Sequence, residues 1–272
     1  MAQRLNRPLH RRQCLRRLLA GAAAWAHASR AWPQDAADPF ASLQWPDLRR
    51  EFFGTAPLVF DARVRVRAPA FATDPMNVPV SVSTEGLAGV QQIVVFVDRN
   101  PIRRVLDFFP LAAVASLSLR FKLEQASPVR AAALLADGRW HVGGAFVDSA
   151  GGGCTVAGTT RQDGSWSSTL GEVQARLFDR SPDPAAAVRL RLRVMHPMDT
   201  GLVGGIPAFH LTRLALRDAN GHELLRLRTH EPVSENPVFS FDFTERPAGP
   251  LRLTGSDNNG NRIDRSIVSG GS

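Results

Sequence analysis

Apolar and polar residues alternate along most of the chain that follows residue 54. Residues 60–67 show the pattern clearly, because apolar side chains there take turns with aspartate and arginine. A period of two is typical of a β-strand that buries one face. Similar short runs follow at residues 78–83, 92–97, 116–123, 129–135 and 139–147. We therefore predict that residues 38–150 form a β-sandwich domain.

A second series of alternating runs begins at residue 187. In residues 188–194, valine and leucine alternate with arginine. Further runs cover residues 209–217, 223–228, 237–243, 251–256 and 262–266, and turn-forming sequences at 218–221 and 258–261 separate some of them. The pattern predicts a second sandwich over residues 187–272. The predicted fold class is therefore all-β, with two β-sandwich domains in tandem.

Two segments depart from this alternation. Residues 38–54 have apolar side chains at roughly helical spacing, which predicts a short N-terminal helix that ends at Gly54. Residues 151–186 are rich in glycine and polar residues and lie between the two predicted sandwiches. We interpret them as a linker, with a short helix over residues 170–178.

The first 31 residues have the pattern of a signal peptide. A basic stretch ends at Arg17, an apolar run follows through residue 28, and Ser29 and Ala31 suit a cleavage site. This apolar run is shorter than the roughly 20 residues that a membrane span needs, and no later run is apolar enough. Arg11 and Arg12 resemble a twin-arginine signal, with an ordinary Sec signal as the alternative. We expect a periplasmic protein with no membrane segment after the signal is removed.

Most of the excess positive charge lies in this leader. The chain has 33 lysine and arginine residues against 25 aspartate and glutamate residues, and seven of the arginines precede Trp32. Without those seven, 26 basic residues stand against 25 acidic ones. Binding to nucleic acid depends on basic side chains that neutralise phosphates, so we set nucleic acid aside as a partner.

One cysteine remains once the leader, which contains Cys14, is removed. This residue, Cys154, follows Gly151, Gly152 and Gly153. A single cysteine in an exported protein indicates an intermolecular bond or a reactive thiol, and glycine allows backbone conformations that are closed to other residues. We interpret the three glycines as a flexible arm that presents an accessible Cys154 thiol to other proteins. The alternative is a linker with a buried, inert cysteine.

Neither a hydrolase site nor a metal site is predicted. A mobile arm would not hold a cysteine, a base and oxyanion donors in fixed geometry, so we expect no enzyme activity. The later histidines lack the close spacing of metal ligands, and residues 257–261 read as a turn rather than a calcium loop. We therefore expect no metal or other cofactor, and we predict surface or turn positions for His196, His210, His222 and His230.

These motifs together resemble the SoxYZ sulfur-carrier family of bacterial thiosulfate oxidation. The first half is similar to SoxY in its early strands, in its closing strands and in the glycine–cysteine segment, at residues 64–69, 77–80 and 129–154. The second half is similar to SoxZ at the His-Pro-Met-Asp-Thr-Gly motif of residues 196–201 and at residues 206–209, 234–237 and 257–260. The fusion of both in one chain resembles the carrier associated with quinoprotein alcohol dehydrogenases.

The resemblance implies immunoglobulin-like sandwiches that pack on each other and a protein that is not an enzyme. Cys154 would hold sulfur-containing intermediates covalently for periplasmic sulfur-oxidising enzymes or a quinoprotein dehydrogenase. No sulfur-binding residue is implied in the second half. Thr155 and Val156 stand where SoxY has glycines, and the chain runs on, so the arm is tethered at both ends. A second hypothesis is a docking module for a periplasmic PQQ-dependent alcohol dehydrogenase that carries nothing.

Overall fold

The structure, a computed structural model, describes residues 37–162, 164–179 and 186–267. These residues belong to one compact unit. The predicted signal peptide at residues 1–31 lies outside the described residues. No helix within the described ranges is both long and apolar enough to cross a membrane.

Strands dominate the described residues, and two short helices accompany them. The helices are α1 (Trp45–Phe53) and α2 (Trp166–Thr169). The strands up to the cysteine are β1 (Leu58–Phe60), β2 (Val64–Arg67), β3 (Phe71–Ala72), β4 (Val78–Thr84), β5 (Val90–Val97), β6 (Arg104–Phe109), β7 (Ser116–Phe121), β8 (Ser127–Leu135) and β9 (Trp140–Ser149). The later strands are β10 (Val173–Phe178), β11 (Val188–Val194), β12 (Leu211–Arg217), β13 (Glu223–Thr229), β14 (Val238–Phe243), β15 (Leu251–Asp257) and β16 (Arg262–Ile267). The predicted all-β fold class is confirmed.

The strands form two sheets, and each sheet contains strands from the first and the second half of the chain. The larger sheet has ten strands, in the order β1-β9-β8-β5-β6-β13-β12-β15-β16 with β3 beside β9, and the smaller has six, in the order β10-β11-β14-β7-β4-β2. Strand β6 pairs with β13 in the larger sheet, and β7 pairs with β14 in the smaller one. The two sandwiches are therefore joined edge to edge into one continuous pair of sheets.

One apolar core fills the space between the sheets and crosses the junction of the two halves. At the junction, Phe108 of β6 stacks on Phe241 of β14, with 5.6 Å between the ring centres, and both side chains are fully buried. A second cluster lies under α1, where Trp45, Leu48 and Phe53 bury apolar surface against the larger sheet. Burial of this apolar surface is the main favourable contribution to folding.

The N-terminal helix is shorter than the sequence predicts. It begins at Trp45 rather than at residue 38, because the Asp38 carboxylate accepts hydrogen bonds from the backbone N–H groups of Phe40 and Ser42. An aspartate that binds nearby backbone donors favours a turn over a helix. Gly54 ends the helix with a φ of 56°, a conformation that favours glycine.

Two other predictions were wrong in detail. Residues 170–178 do not form a helix, because Val173–Phe178 is strand β10 and pairs with β11 along its whole length. The single strand predicted over residues 60–67 is split into β1 and β2, which belong to different sheets. The split falls at Asp61, whose side chain accepts a hydrogen bond from the backbone N–H of Arg63 and turns the chain.

Candidate functional site

Cys154 lies on a short segment that follows β9, and residues 151–157 are called the cysteine arm below. Gly151 and Gly152 turn the chain with φ angles of 94° and 86°, which favour glycine. The backbone N–H of Gly152 then donates to the carbonyl of Glu124, and that of Gly153 donates to the carbonyl of Leu123. The arm therefore lies along the chain segment that follows β7.

Gly153 is required by a close approach of backbones and not by an unusual backbone angle. A Cβ atom at this position would lie 2.2 Å from the carbonyl oxygen of Pro75 and 2.6 Å from that of Leu123. Both are backbone atoms, so the neighbours cannot rotate away. The glycine thus lets the arm dock tightly between two other segments, which differs from the flexible role that the sequence suggests.

The Cys154 side chain is fully buried, with 0% of its surface exposed. The expectation of an accessible thiol is therefore wrong for this conformation. The Cys154 sulfur lies 3.7 Å from the carbonyl oxygen of Lys122. Its backbone N–H donates to Oε2 of Glu124 at 2.9 Å, and its carbonyl accepts a hydrogen bond from Oγ1 of Thr200 at 2.7 Å. Cys154 is thus held in place by Lys122 and Glu124 of the first half of the chain and by Thr200 of the second half.

Glu124 is the main anchor of the arm in the first half. Besides the Cys154 N–H, it accepts a hydrogen bond from the Thr155 hydroxyl at 2.9 Å. Asn100 holds the anchor in place, because it accepts from the Glu124 N–H and donates to the Lys122 carbonyl. The next residue along the arm, Val156, is 54% exposed. The arm therefore passes from a fully buried residue to an exposed one within two positions.

The environment of the docked thiol suppresses its ionisation. Burial, the main cause, and the negative charge of Glu124 raise the pKa of the Cys154 thiol to about 12, although the Lys122 ammonium acts in the opposite direction. Very little of the docked thiol is then ionised at pH 8. Since the thiolate is the nucleophile, the docked cysteine is protected from reaction.

Lys122 is a buried part of the site that sequence reasoning missed. It is the single lysine of the chain, and this rarity is the signal that could have found it. Its ammonium donates to the carbonyl oxygen of Met198 in the second half. Burial lowers the pKa of Lys122, and the negative charges of Asp199 and Glu235, with that of Cys154 when its thiol is ionised, partly oppose that shift.

The His-Pro-Met-Asp-Thr-Gly motif of residues 196–201 forms the side of the site that the second half provides. Nδ1 of His196 accepts a hydrogen bond from the backbone N–H of Met198 at 3.1 Å, and Met198 adopts a φ of 53°. Burial lowers the pKa of His196 to about 4, so its ring is neutral near pH 7 and can accept this bond. The resulting loop aims the Met198 carbonyl at Lys122 and the Thr200 hydroxyl at Cys154. The second half therefore contacts the cysteine, which the resemblance did not imply.

The chain beyond the arm is also tied to the second half. Glu235 accepts hydrogen bonds from the backbone N–H and the hydroxyl of Thr159 and from the N–H of Thr160. Arg161 forms an ion pair with Asp199, with 2.6 Å between Nε and Oδ2. These contacts support the prediction that the arm is tethered on both sides.

Two of the four histidines are more buried than predicted. His196 and His210 are buried, whereas His222 is exposed, as predicted, and His230 is partly exposed. Oδ1 of Asp257 accepts from the N–H groups of Asn259 and Asn261, in the turn that the sequence predicts. Within the described ranges, no group of three or more histidine, cysteine, aspartate or glutamate side chains is arranged to hold a metal ion.

Comparison with known proteins identifies both halves. The family model described as sulfur oxidation protein SoxY matches residues 49–154, and that described as sulphur oxidation protein SoxZ matches residues 179–267. The first match ends at Cys154 and the second contains residues 196–201. Together the two matches span more than half of the chain.

A solved structure is similar to part of the chain. The sulfur carrier protein SoxY from Chlorobium limicola f thiosulfatophilum matches with 23% sequence identity, over 39% of this chain and 90% of that chain, at a TM-score of 0.35. A comparison with curated proteins gives no match. On the two family matches, the chain belongs to the SoxYZ sulfur-carrier family and joins a SoxY domain and a SoxZ domain in one polypeptide.

Proposed function

We propose that this protein is a periplasmic carrier that holds sulfur-containing intermediates covalently on Cys154. The observation that carries the proposal is the placement of Cys154, the one cysteine among the described residues, at the end of the SoxY match and in a site built from both domains. The chain itself would catalyse nothing. Its partners would be sulfur-oxidising enzymes or a quinoprotein dehydrogenase of the same compartment.

Loading would form one sulfur–sulfur bond. The Cys154 thiol loses its proton, its sulfur joins an anionic terminal sulfur of the cargo, and two electrons pass to the acceptor of a partner oxidoreductase. The covalent bond keeps the cargo from diffusing away while contacts with each partner stay weak. A second partner would then release the cargo.

A buried thiol can be loaded only after the arm leaves its docked position. Undocking breaks the hydrogen bonds from the arm to Glu124 and Thr200 and moves residues 151–157 outward. The docked form would store the carrier in an unreactive state, and the released form would present a thiol with an ordinary pKa. The arm thus alternates between a protected and a reactive position.

Alkylation of the folded protein tests this proposal. Thr200→Val removes the hydrogen bond to the Cys154 carbonyl and should raise the rate of Cys154 alkylation about tenfold, since it favours release. Thr212→Val is the matched control, because Thr212 donates to the Ser256 carbonyl in the second half. Equal rates in both variants would contradict release of the arm from Thr200.

Mass spectrometry tests the carrier function itself. Protein isolated without reductant from cells that oxidise sulfur compounds should carry adducts of defined mass on Cys154, and these should disappear with reductant. A Cys154→Ser protein is the control. If Cys154 is free of adducts in such cells and is also not alkylated while the protein is folded, the carrier proposal fails.

The burial of Cys154 also favours the second hypothesis, a docking module for a PQQ-dependent alcohol dehydrogenase that carries nothing. Substrate oxidation in cells separates the two functions. A carrier should lose its function when Cys154 is replaced by serine. A docking module should tolerate that replacement but not deletion of the whole protein.

A further inference from the structure

The outer face of the six-stranded sheet has an unusual concentration of arginine. Strand β11 buries its valines and leucines and points Arg189, Arg191 and Arg193 outward. Arg176 of β10 lies opposite Arg191, and Arg120 comes from β7 in the first half. This face therefore draws its arginines from both domains.

A groove crosses this face. It consists of three adjoining depressions, with volumes of about 390, 500 and 380 Å³, which share lining residues. Ser81, Ser118 and Ser240, from three neighbouring strands, line its middle. Small side chains there leave room between the longer arginines on either side.

Glu85 and Glu235 place carboxylates in the groove, but they do not pair with most of the arginines on this face. Within the described residues, no carboxylate pairs with the exposed side chains of Arg67, Arg120, Arg176, Arg191 and Arg193. Of the other arginines on this face, Arg65 pairs with Glu85 and Arg189 pairs with Asp242. The chain after the leader has nearly equal numbers of basic and acidic residues, so the excess here reflects a segregation of charge.

Protection of sheet edges does not explain these arginines. Charged side chains on edge strands prevent sheets from pairing with other chains. The edges of this sheet are β2 and β10, whereas Arg120 and Arg191 lie on interior strands. Another physical reason is needed for exposed arginines at interior positions.

The spread of the charges indicates the size of the ligand. Arg67 on β2 and Arg191 on β11 are four strand spacings apart, which is about 19 Å at the usual distance between strands. A compact anion such as thiosulfate cannot contact charges over that length. An acidic segment on the surface of another protein can.

We propose that this arginine-lined groove binds an acidic surface segment of a partner protein. One end of the groove is formed by Asn77, Glu235 and Asn236, and Glu235 and Asn236 also hold Thr159 and Thr160 next to the cysteine arm. A partner seated in the groove would therefore lie beside the arm. The inference deepens the proposed carrier function by identifying the chemistry of the partner surface.

Binding of an acidic peptide tests the groove. The probe is fluorescein-labelled deca-glutamate, measured by fluorescence anisotropy at low ionic strength with the full mature chain. Replacement of Arg191 and Arg193 together by serine should weaken peptide binding about fivefold or more. Arg120→Ser should also weaken peptide binding, because Arg120 lies in the first half of the chain and lines the same groove. Arg213 and Arg228, which are exposed neighbours in the ten-stranded sheet, are the matched control pair when both become serine.

The outcomes separate this inference from its alternatives. An equal loss in the control pair would show attraction to overall charge and would overturn the groove. Displacement of the peptide by thiosulfate, beyond the effect of sodium chloride at the same ionic strength, would show a small-anion site and would also overturn it. Cys154→Ser should bind the peptide normally, so failure of the carrier function and failure of the groove can be distinguished.

Discussion

At the scale of single residues, Cys154 shows how burial controls reactivity. The docked thiol has a pKa raised to about 12, mainly by burial, whereas a thiol in solvent has a value near 8.5. The two states therefore ionise in different pH ranges. The pH dependence of thiol reactivity therefore reports how strongly the arm is held in its docked state.

The pH dependence of Cys154 alkylation should follow the released state. The rate with iodoacetamide should rise about tenfold per pH unit and keep rising beyond the ordinary thiol pKa of about 8.5, because ionisation of the released thiol draws the arm out of a docked state in which the thiol stays protonated. Protein unfolded in guanidinium chloride gives the reference curve. A rate that levels off near pH 8.5 in the folded protein, as it does in the unfolded reference, would mean that the docked state does not hold the thiol protonated.

Arg130 is another buried residue with a defined role, since its side chain is fully buried between two carboxylates. It donates to both oxygens of Asp98 and to both oxygens of Asp38, at distances from 2.7 to 2.9 Å. Its guanidinium also lies 4.5 Å above the ring of Trp45. Burial alone would raise the pKa of Asp38, but the hydrogen bonds and charge of Arg130, together with the hydrogen bonds from the backbone N–H groups of Ser42 and Phe40, outweigh it and the pKa is lowered.

Arg130→Met should lower the free energy of unfolding by roughly 3–5 kcal/mol at pH 7, because two buried carboxylates lose their partner. The deficit should shrink as the pH falls below about 4, since the stabilisation by an aspartate of lowered pKa is lost once that group is protonated. Denaturant unfolding at pH 7 and at pH 3 measures both effects. Arg50→Met, which removes an exposed pair with Asp47, should change stability by less than about 1 kcal/mol. A small, pH-independent effect of Arg130→Met would contradict this account.

At the scale of elements, most of the alternating strands were predictable and the docking of the arm was not. Strand β11 was found with its residues, because alternation is local information that a sandwich strand must carry. Strand β6 was missed, since it lies inside the larger sheet and its run Val105, Leu106, Asp107, Phe108 is buried without alternation. The contacts of Cys154 with Lys122 and Thr200 join residues 32 and 46 positions away, and no local pattern records them.

Gly153→Ala should release the arm more strongly than Gly152→Ala. A methyl group at Gly153 would meet backbone oxygen at 2.2 Å, whereas at Gly152 it would meet only the Val156 side chain at 3.5 Å and strain a φ of 86°. The strain costs about 1–2 kcal/mol, and the clash cannot be relieved while the arm is docked. The alkylation rate of Cys154 in the two variants measures the difference. If both variants react equally, or if Gly153→Ala slows the reaction, Gly153 serves flexibility and not docking.

At the scale of the whole molecule, the fusion produces one sandwich rather than two loosely linked ones. Both sheets continue from the SoxY domain into the SoxZ domain, and the arm is held by residues of both. The same continuity creates the arginine groove, which neither domain would form alone. The sequence does not reveal this groove as a basic block, because the arginines of one strand are two residues apart and alternate with apolar residues.

Because the two domains share a core, a cavity-forming substitution at their junction should destabilise both domains. Phe241→Ala removes a fully buried ring that stacks on Phe108 of the other domain, and should cost about 3–5 kcal/mol. Hydrogen exchange followed by mass spectrometry should then show faster exchange in Ser127–Leu135 of the SoxY domain as well as in Leu211–Arg217 of the SoxZ domain. Phe146→Ala, at a partly exposed ring in β9, is the control and should change the exchange rates of both strands little. Faster exchange in the SoxZ strand alone would mean that the domains unfold independently, and the shared core would then contribute little to the stability of the fusion.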